Sequence, residues 1–379
     1  MKLAIIFLLV FITLQTSYSQ TDSLKNSKLS FTADFRFRIE QDWDSRKSDG
    51  SYRDDRSRLR YRLRLGASYQ YNEWASFGTR IRTGTYSNQQ DPHITLGSGG
   101  GEFEILPLGF EKLYFRAKYK WFSGWIGKNT YPFEKQNELF WSDNVYPEGV
   151  FLQAHFKKTS WLPSFDLKGG HFIIGSSGRS FADDGYMEAI QLVSNCLSNR
   201  LKIFPAYYYF HNLPLVPDGN PSELMKYSIL HLGANYKISK TPAITIGIDY
   251  YNNMQNYHHV ESITSKVKKD KEGVVLGLLY GALSKAGDYS LGLYYTYLGR
   301  FSAVDYMAQN DWVRWDYSNY DSPAGRLTNF QGIEFMAGYQ VGDNFTLKMR
   351  YFNVKQLVSY GAERENGQRV RLDIDIAIH

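Results

Sequence analysis

The run Arg58-Leu59-Arg60-Tyr61-Arg62-Leu63-Arg64-Leu65 alternates charged and apolar side chains with strict period two. In an extended strand the side chains at i and i+2 share one face. The arginines therefore line one side, with Leu59, Tyr61, Leu63 and Leu65 on the other. A sheet in a soluble domain packs its apolar face on a core and leaves a mixed polar face, so it does not call for so polarised a strand. A transmembrane barrel does, with lipid on one face and a water-filled lumen on the other. The stretch predicts a membrane pore with a basic wall.

The same alternation recurs along the chain. Leu29 to Glu40 sets Phe31, Ala33, Phe35, Phe37 and Ile39 against Asp34, Arg36, Arg38 and Glu40. The arginine run lies in a strand from Ser57 to Tyr71, which turns at Asn72-Glu73. Trp74 to Thr83 opposes Phe77 and Ile81 to Arg80 and Arg82. Leu113 to Trp121 opposes Phe115, Ala117 and Tyr119 to Arg116, Lys118 and Lys120. Further strands fall near 124–129, 149–157, 164–174, 186–194, 201–211, 227–237, 243–252, 273–282, 289–298, 331–340, 345–355 and 368–378. In the last, Val370, Leu372, Ile374, Ile376 and Ile378 face away from Arg369, Arg371, Asp373 and Asp375. The total is about sixteen, an even number as in single-chain bacterial barrels.

The connections give a second indication. Short ones near 72–73, 122–123, 158–163, 195–200, 238–242, 283–288 and 341–344 alternate with long ones near 41–56, 85–112, 130–148, 175–185, 212–226, 253–272, 299–330 and 356–367. Periplasmic turns and extracellular loops alternate in this way, which sets both ends of the barrel on the periplasmic side.

Composition agrees with strands. Aromatic residues make up 16% of the chain, led by 30 Tyr, with 32 Gly and 11 Pro, a balance suited to strands and tight turns. No later segment reaches the roughly 18 apolar residues of a spanning helix, so helical spanning is excluded. Lys2 and the apolar stretch from Leu3 to Leu14 read as a secretory signal, with Ser17-Tyr18-Ser19 before a cut preceding Gln20. The expected organisation is a signal peptide over 1–19, a periplasmic N-terminal segment over 20–28 and a transmembrane β-barrel over 29–379. Cys196, the single cysteine, indicates neither lipid attachment nor a disulfide framework. The formal charge of +6 is modest, and no recognised motif accompanies it, so nucleic acid is not an expected partner.

About sixteen strands enclose an aqueous channel, so the inward residues decide function. The candidates for pore lining and anion binding are Arg36, Arg38, Arg58, Arg60, Arg62, Arg64, Arg80, Arg82, Arg116, Lys118 and Lys120. Closure of the barrel adds Arg369 and Arg371. Guanidinium stays charged and holds carboxylate or phosphate through two hydrogen bonds. Each exposed contact is worth on the order of 1 kcal/mol at 4 Å in bulk water. Several on one wall sum to a potential of several kT, enough to select and weak enough to release. Two readings stand side by side: a wall that handles anions, and a wall charged only to stay wet, partly neutralised by Asp373 and Asp375.

The third long loop, 130–148, carries Glu134, Glu138, Asp143 and Glu148. Folded inward, it forms a constriction with carboxylates facing the basic wall; folded outward, it is an ordinary surface loop. Trp312, Trp315, Tyr317 and Tyr320 of the seventh loop read as a plug, a sugar-stacking surface or part of the interfacial girdle. Other patterns are empty. Gly97-Ser98-Gly99-Gly100-Gly101 lacks the Lys-Ser/Thr of a phosphate loop. His258-His259 has no partnering ligands, and Asp49, Asp54 and Asp55 lack the spacing of a calcium site. No catalytic set, metal site or cofactor is expected.

These residues resemble a known group, the outer-membrane putative porin family, related in architecture to alginate-export and phosphate-selective porins. The likeness covers about residues 29–379. It rests on the exported N-terminus, the Arg-rich second strand through Leu65-Gly66, Gly127-Lys128 followed by Pro132-Phe133, Trp141-Ser142-Asp143-Asn144, and Pro147-Glu148-Gly149. One departure is His379 at the end, where such barrels commonly carry an aromatic residue.

The resemblance implies passive diffusion of small hydrophilic solutes, anionic or sugar-derived, across the outer membrane of a Gram-negative cell. The expectation is therefore an all-β, antiparallel, non-enzymatic barrel in contact with outer-membrane lipid, with a homotrimer by fold-level analogy. Two alternatives are kept. A dedicated channel for an acidic polysaccharide or oligosaccharide needs basic residues through its whole length. An outer-membrane lipase or protease needs a nucleophile and a base near one rim.

Overall fold

Period-two alternation commits each segment to a strand with one lipid face and one lumen face, and the chain folds accordingly. The computed structural model describes residues 28–86, 88–98, 100, 105–159, 163–213, 224–261, 263–312, 327–359 and 361–378. The expected signal peptide, Gly99, Gly101, Trp315, Tyr317, Tyr320 and His379 lie outside them.

Among the described residues the chain forms a closed antiparallel barrel of 16 strands. These run Leu29–Arg46, Arg56–Gln70, Ala75–Thr83, Leu108–Tyr119, Phe122–Lys128, Glu148–Phe156, Phe165–Gly175, Gly185–Cys196, Ala206–Leu213, Met225–Lys240, Ala243–Asn253, Glu272–Gly281, Tyr289–Leu298, Phe330–Gly342, Phe345–Gln356 and Asn366–Ile378. Two short stretches complete the ladders. Leu201–Ile203 continues the ninth strand between the eighth and tenth, and Ile94–Thr95 pairs with Tyr61 and Arg60 beyond the end of the third. No helix among the described residues is long and apolar enough to cross a membrane. Short and long connections alternate as the sequence predicts.

The first strand is the closing seam. Phe35 lies opposite Leu63 on the second strand and Ile376 on the last, and Arg36 lies opposite Arg62 and Asp375. Phe31, Phe35, Ile39, Leu59, Leu65, Phe77, Leu113, Leu372 and Ile376 are exposed on the outer face, while Arg38, Arg62 and Arg64 are buried within. Register fixes this, because a one-residue slip would turn every arginine to lipid.

Most boundaries shift by one to three residues, and the first and fourth strands shift furthest. The first strand continues to Arg46, which shortens the first loop. The fourth begins at Leu108 and ends at Tyr119. Lys120, expected on the pore wall, instead takes a left-handed φ of 53° in the following turn and is exposed. That turn reverses the chain within two residues, so Lys120 cannot keep the strand's alternation.

The interior is not a plain water-filled tube. Phe133, Phe140 and Trp141 of the third long loop, together with Phe301, Met307 and Trp312 of the seventh, are buried with wall residues such as Phe172, Tyr208 and Tyr251. One side of the lumen is thus aromatic and the other charged.

Candidate constriction

The charged side is built on the first strand. Its inward residues Asp34, Arg36, Arg38, Glu40 and Asp42 stand opposite Arg64, Arg62, Arg60, Arg58 and Arg56 of the second strand. On the other flank, Arg36, Arg38, Glu40 and Asp42 stand opposite Asp375, Asp373, Arg371 and Arg369 of the last strand. Like charges directly opposite destabilise a sheet, and the alternating carboxylates offset that. Arg36 Nε donates to Asp375 at 2.5 Å, Arg38 Nε to Asp373 at 2.6 Å, Arg62 Nη2 to Asp34 at 2.5 Å and Arg369 Nε to Asp42 at 2.5 Å. Arg58 pairs with Glu40, and Arg60 with Asp91.

Glu111 is a partner that periodicity hides. The register between the third and fourth strands shifts where Arg80 faces Lys112 and Ile81 faces Phe110. This bulge leaves Glu111 as the extra residue. Its carboxylate, buried in the wall, accepts from Arg64 Nη2 at 2.8 Å and Arg80 Nε at 2.6 Å and lies 3.7 Å from Arg82.

Several arginines also hold the inward loops. Arg64 Nη2 donates to Asn144 Oδ1 at 2.9 Å and to the Tyr146 hydroxyl at 3.2 Å, docking the third loop. Arg82 donates to the carbonyls of Thr83 and Asn88, both at 2.8 Å, shaping the second loop. Arg369 donates to the Asp311 carbonyl at 2.7 Å, and Arg371 pairs with the Asp311 carboxylate, docking the seventh. The loops also hold one another. Gln90 Nε2 donates to the carbonyls of Tyr306 and Ala308, and Ser142 N to Met307 O at 2.8 Å.

A polar cavity of about 150 Å³ remains among them. Arg36, Arg38, Arg60, Arg62, Arg64, Arg350 and Arg371 line it, and Glu138, Asp143 and Asp311 face them from the loops. The Nε atoms of Arg60, Arg62 and Arg371 are buried without a hydrogen-bond acceptor.

Burial pushes Glu138 above the ordinary carboxylate range, against Arg350 and with help from Asp143. Burial opposes the charge on Asp143 too, but Lys135, 2.5 Å away, holds that carboxyl low. Burial likewise works against Asp311, yet Arg371, Arg38 and Arg350 keep it well below its usual range. His93 is pushed well down by burial and then by Arg38 and Arg62.

The expected loop carboxylates therefore separate. Glu138 and Asp143 face the basic wall. Glu134 turns to Lys202 at 2.6 Å and Lys168 at 3.5 Å on the opposite side. Glu148 opens the sixth strand, exposed and paired with Lys128 at 2.5 Å, so it is not part of the constriction. Its parity matches the exposed Val150 and Leu152, which places it on the outer face. Arg350, which the sequence reading did not single out, shares the inward face of Lys348 two positions before it, so the same alternation applied to its strand could have found it. Asp91, His93 and Asp311 sit in irregular loops and carried no periodic signal. Among the described residues, no group of three or more His, Cys, Asp or Glu side chains is placed to hold a metal ion.

Residues 46–225 match the putative porin family. No curated protein sequence matches the chain. Among solved structures, Pseudomonas putida OprB is similar over 95% of this chain and 96% of its own, with 15% identity and a TM-score of 0.58. A triple mutant of the Rhodopseudomonas blastica porin is similar over 92% of this chain and 100% of its own, at 12% identity and a TM-score of 0.52. The outer membrane channel DcaP of Acinetobacter baumannii covers 92% of this chain and 97% of its own, at 13% identity and a TM-score of 0.52. Likeness at these identities establishes the barrel fold.

Proposed function

We propose, from a chain that carries the putative porin family match over residues 46–225 on an outer-membrane porin barrel, that it passes small hydrophilic solutes by passive diffusion and favours anions. The observation that supports this is the arrangement around the constriction, where seven arginines line one cavity against three carboxylates. Guanidiniums grouped on one wall attract anions, although each of these seven also pairs with a carboxylate of the wall or loops. Ten of the thirteen basic residues read from sequence contact carboxylates (Arg36, Arg38, Arg58, Arg60, Arg62, Arg64, Arg80, Arg82, Arg369 and Arg371). The field is therefore that of a partly compensated lattice and not of a bare ladder, which suits a moderate preference over tight capture.

In this reading residues 1–19 direct export, 20–28 lie in the periplasm, no chemical step is catalysed, and the assembled form is a homotrimer. A second reading, a channel for an acidic oligosaccharide, is favoured by Arg116 and Lys118, which extend the basic surface beyond the constriction toward the short turns.

The test is the zero-current potential of the purified protein in a planar bilayer under a KCl gradient. A potential of the sign set by chloride, shrinking at high salt, is expected. Conductance without preference would reduce the arginines to wetting and loop anchoring.

A further inference from the structure

The basic residues with uncommitted charge stand outside the constriction. Arg116 and Lys118 project into the lumen from the fourth strand, both exposed and with no carboxylate partner among the described residues. Arg116 lies opposite Trp125 on the fifth strand and borders a pocket of about 340 Å³ between the foot of the third loop and the short turns.

One wall of that pocket is aromatic. Trp125 packs against Phe151 and Phe172, with ring centroids 6.0 and 5.8 Å away. The Tyr114 ring occupies the space that Gly78 leaves open, since a Cβ there would come within 2.3 Å of it. The rim is polar, with Ser123 and Gln153 on the fifth and sixth strands. Lys112 Nζ donates to Thr130 Oγ1 at 2.6 Å and lies 5.4 Å from the Tyr146 ring centroid, so it clamps both ends of the loop that roofs the pocket.

We infer that this pocket is a second solute site, and that it takes a sugar bearing one negative charge, either a carboxylate or a phosphate. Each part of such a solute has a counterpart. The volume sits at the lower end of ligand pockets, roughly 300–1,000 Å³, and suits one ring. A free guanidinium binds carboxylate and phosphate alike, with two parallel hydrogen bonds. The Gln153 amide and the Ser123 hydroxyl can both donate and accept, as ring hydroxyls require. The apolar faces of Tyr114 and its neighbours suit the C–H face of a sugar ring, which an inorganic anion lacks. The site deepens the channel reading and rests on it for how solute arrives, but binding itself can be measured without conduction.

The experiment is calorimetric titration of the full chain in detergent with glucuronate, glucose 6-phosphate, glucose and acetate, beside bilayer conductance of the same preparation. Glucuronate or glucose 6-phosphate is expected to bind saturably, at least tenfold tighter than glucose or acetate, and the stronger of the two identifies the anionic group. Arg116→Gln is expected to weaken that binding at least tenfold, and Gln153→Leu severalfold, in barrels that still migrate as folded when unheated. Acetate binding as tightly as glucuronate, or Arg116→Gln binding as tightly as the parent, overturns the site. Conductance without saturable sugar-acid binding also overturns it while leaving the channel reading intact. Binding without conductance supports the site and removes the channel reading.

Discussion

Arg38 grips Asp373 through two parallel hydrogen bonds, Nε to Oδ1 at 2.6 Å and Nη2 to Oδ2 at 3.0 Å, across the seam where the last strand closes on the first. The two side chains are only 3% and 4% exposed. Asp373 also lies 3.6 Å from Arg36 and 3.4 Å from Arg371, so one carboxylate balances three guanidiniums. On the opposite flank Arg38 and Arg36 face Arg60 and Arg62. Closure of this barrel and neutralisation of its arginine wall are accomplished by the same residues.

Asp373→Asn should therefore destabilise the barrel. Removing one partner of a buried ion pair leaves the other charge uncompensated, at a cost of about 3–5 kcal/mol. The measurement is the denaturant midpoint of the folded barrel in detergent, which should fall. The double change Arg38→Leu with Asp373→Leu should recover much of the loss, because Arg36 and Arg371 still keep Asp375 and Asp311. A single variant as stable as the parent would mean that Arg38, Arg36 and Arg371 do not depend on this carboxylate.

The outer face gives the complementary prediction. Leu63 shares a face with Phe35, its neighbour on the first strand, and with exposed Leu65. Arginine at 63 would meet lipid, at a cost of about 2–4 kcal/mol near the bilayer midplane. Less heat-resistant protein and a lower folded yield in vesicles are expected. Unchanged heat resistance would mean that position 63 is not lipid-facing.

Strands and facing were legible because they rest on a local, repeating signal. Arg58 through Leu65 needs nothing beyond its own alternation to define two faces, and both ends of the seam show the same pattern. The carboxylates that answer the arginines were less legible, for distinct physical reasons. Glu111 reaches the lumen through a bulge, which breaks the period that would have announced it. Asp91 and Asp311 arrive on loops whose path is set by tertiary hydrogen bonds, to Arg82 in one case and Arg369 in the other. The sequence thus displayed the charges along strands, Asp34, Glu40, Asp373 and Asp375 among them, and hid the partners that a bulge or a loop supplies.

Glu138 should make ion preference depend on pH. Burial, reinforced by Asp143, raises its carboxyl above the usual range, whereas Lys135 keeps Asp143 charged. On acidification from neutrality Glu138 gains its proton before Asp143 and Asp311 do. The cavity then loses a negative charge while its arginines keep theirs, so anion preference should rise. Glu138→Gln should start at the higher preference and lose this part of the pH response. The reversal potential, followed from neutral to mildly acidic pH, checks both. An equal pH response in parent and variant would place the titrating group elsewhere.

Arg64 and the pair Arg116 and Lys118 should respond differently to substitution, although all three are cationic and inward. Arg64 donates to Glu111, Asn144 and Tyr146, so it joins the wall to the third loop. Arg64→Gln removes that joint, and the expected result is larger, noisier single-channel conductance as the loop loses its anchor. Reversing Arg60, Arg62 and Arg64 together to Glu would set new carboxylates beside Asp91, Asp34 and Glu111, and the barrel should then assemble poorly. Arg116 and Lys118 are exposed and have no carboxylate partner among the described residues, so Arg116→Glu with Lys118→Glu should leave assembly intact. The reversal potential should shift away from chloride by an amount that falls as salt rises, because the Debye length shortens from about 10 Å at 0.1 M to about 3 Å at 1 M. Reversal potential and single-channel conductance, recorded for each folded variant, separate the two roles. An unshifted reversal potential in the Arg116 and Lys118 double variant would show that uncommitted charge near the short turns does not govern selectivity.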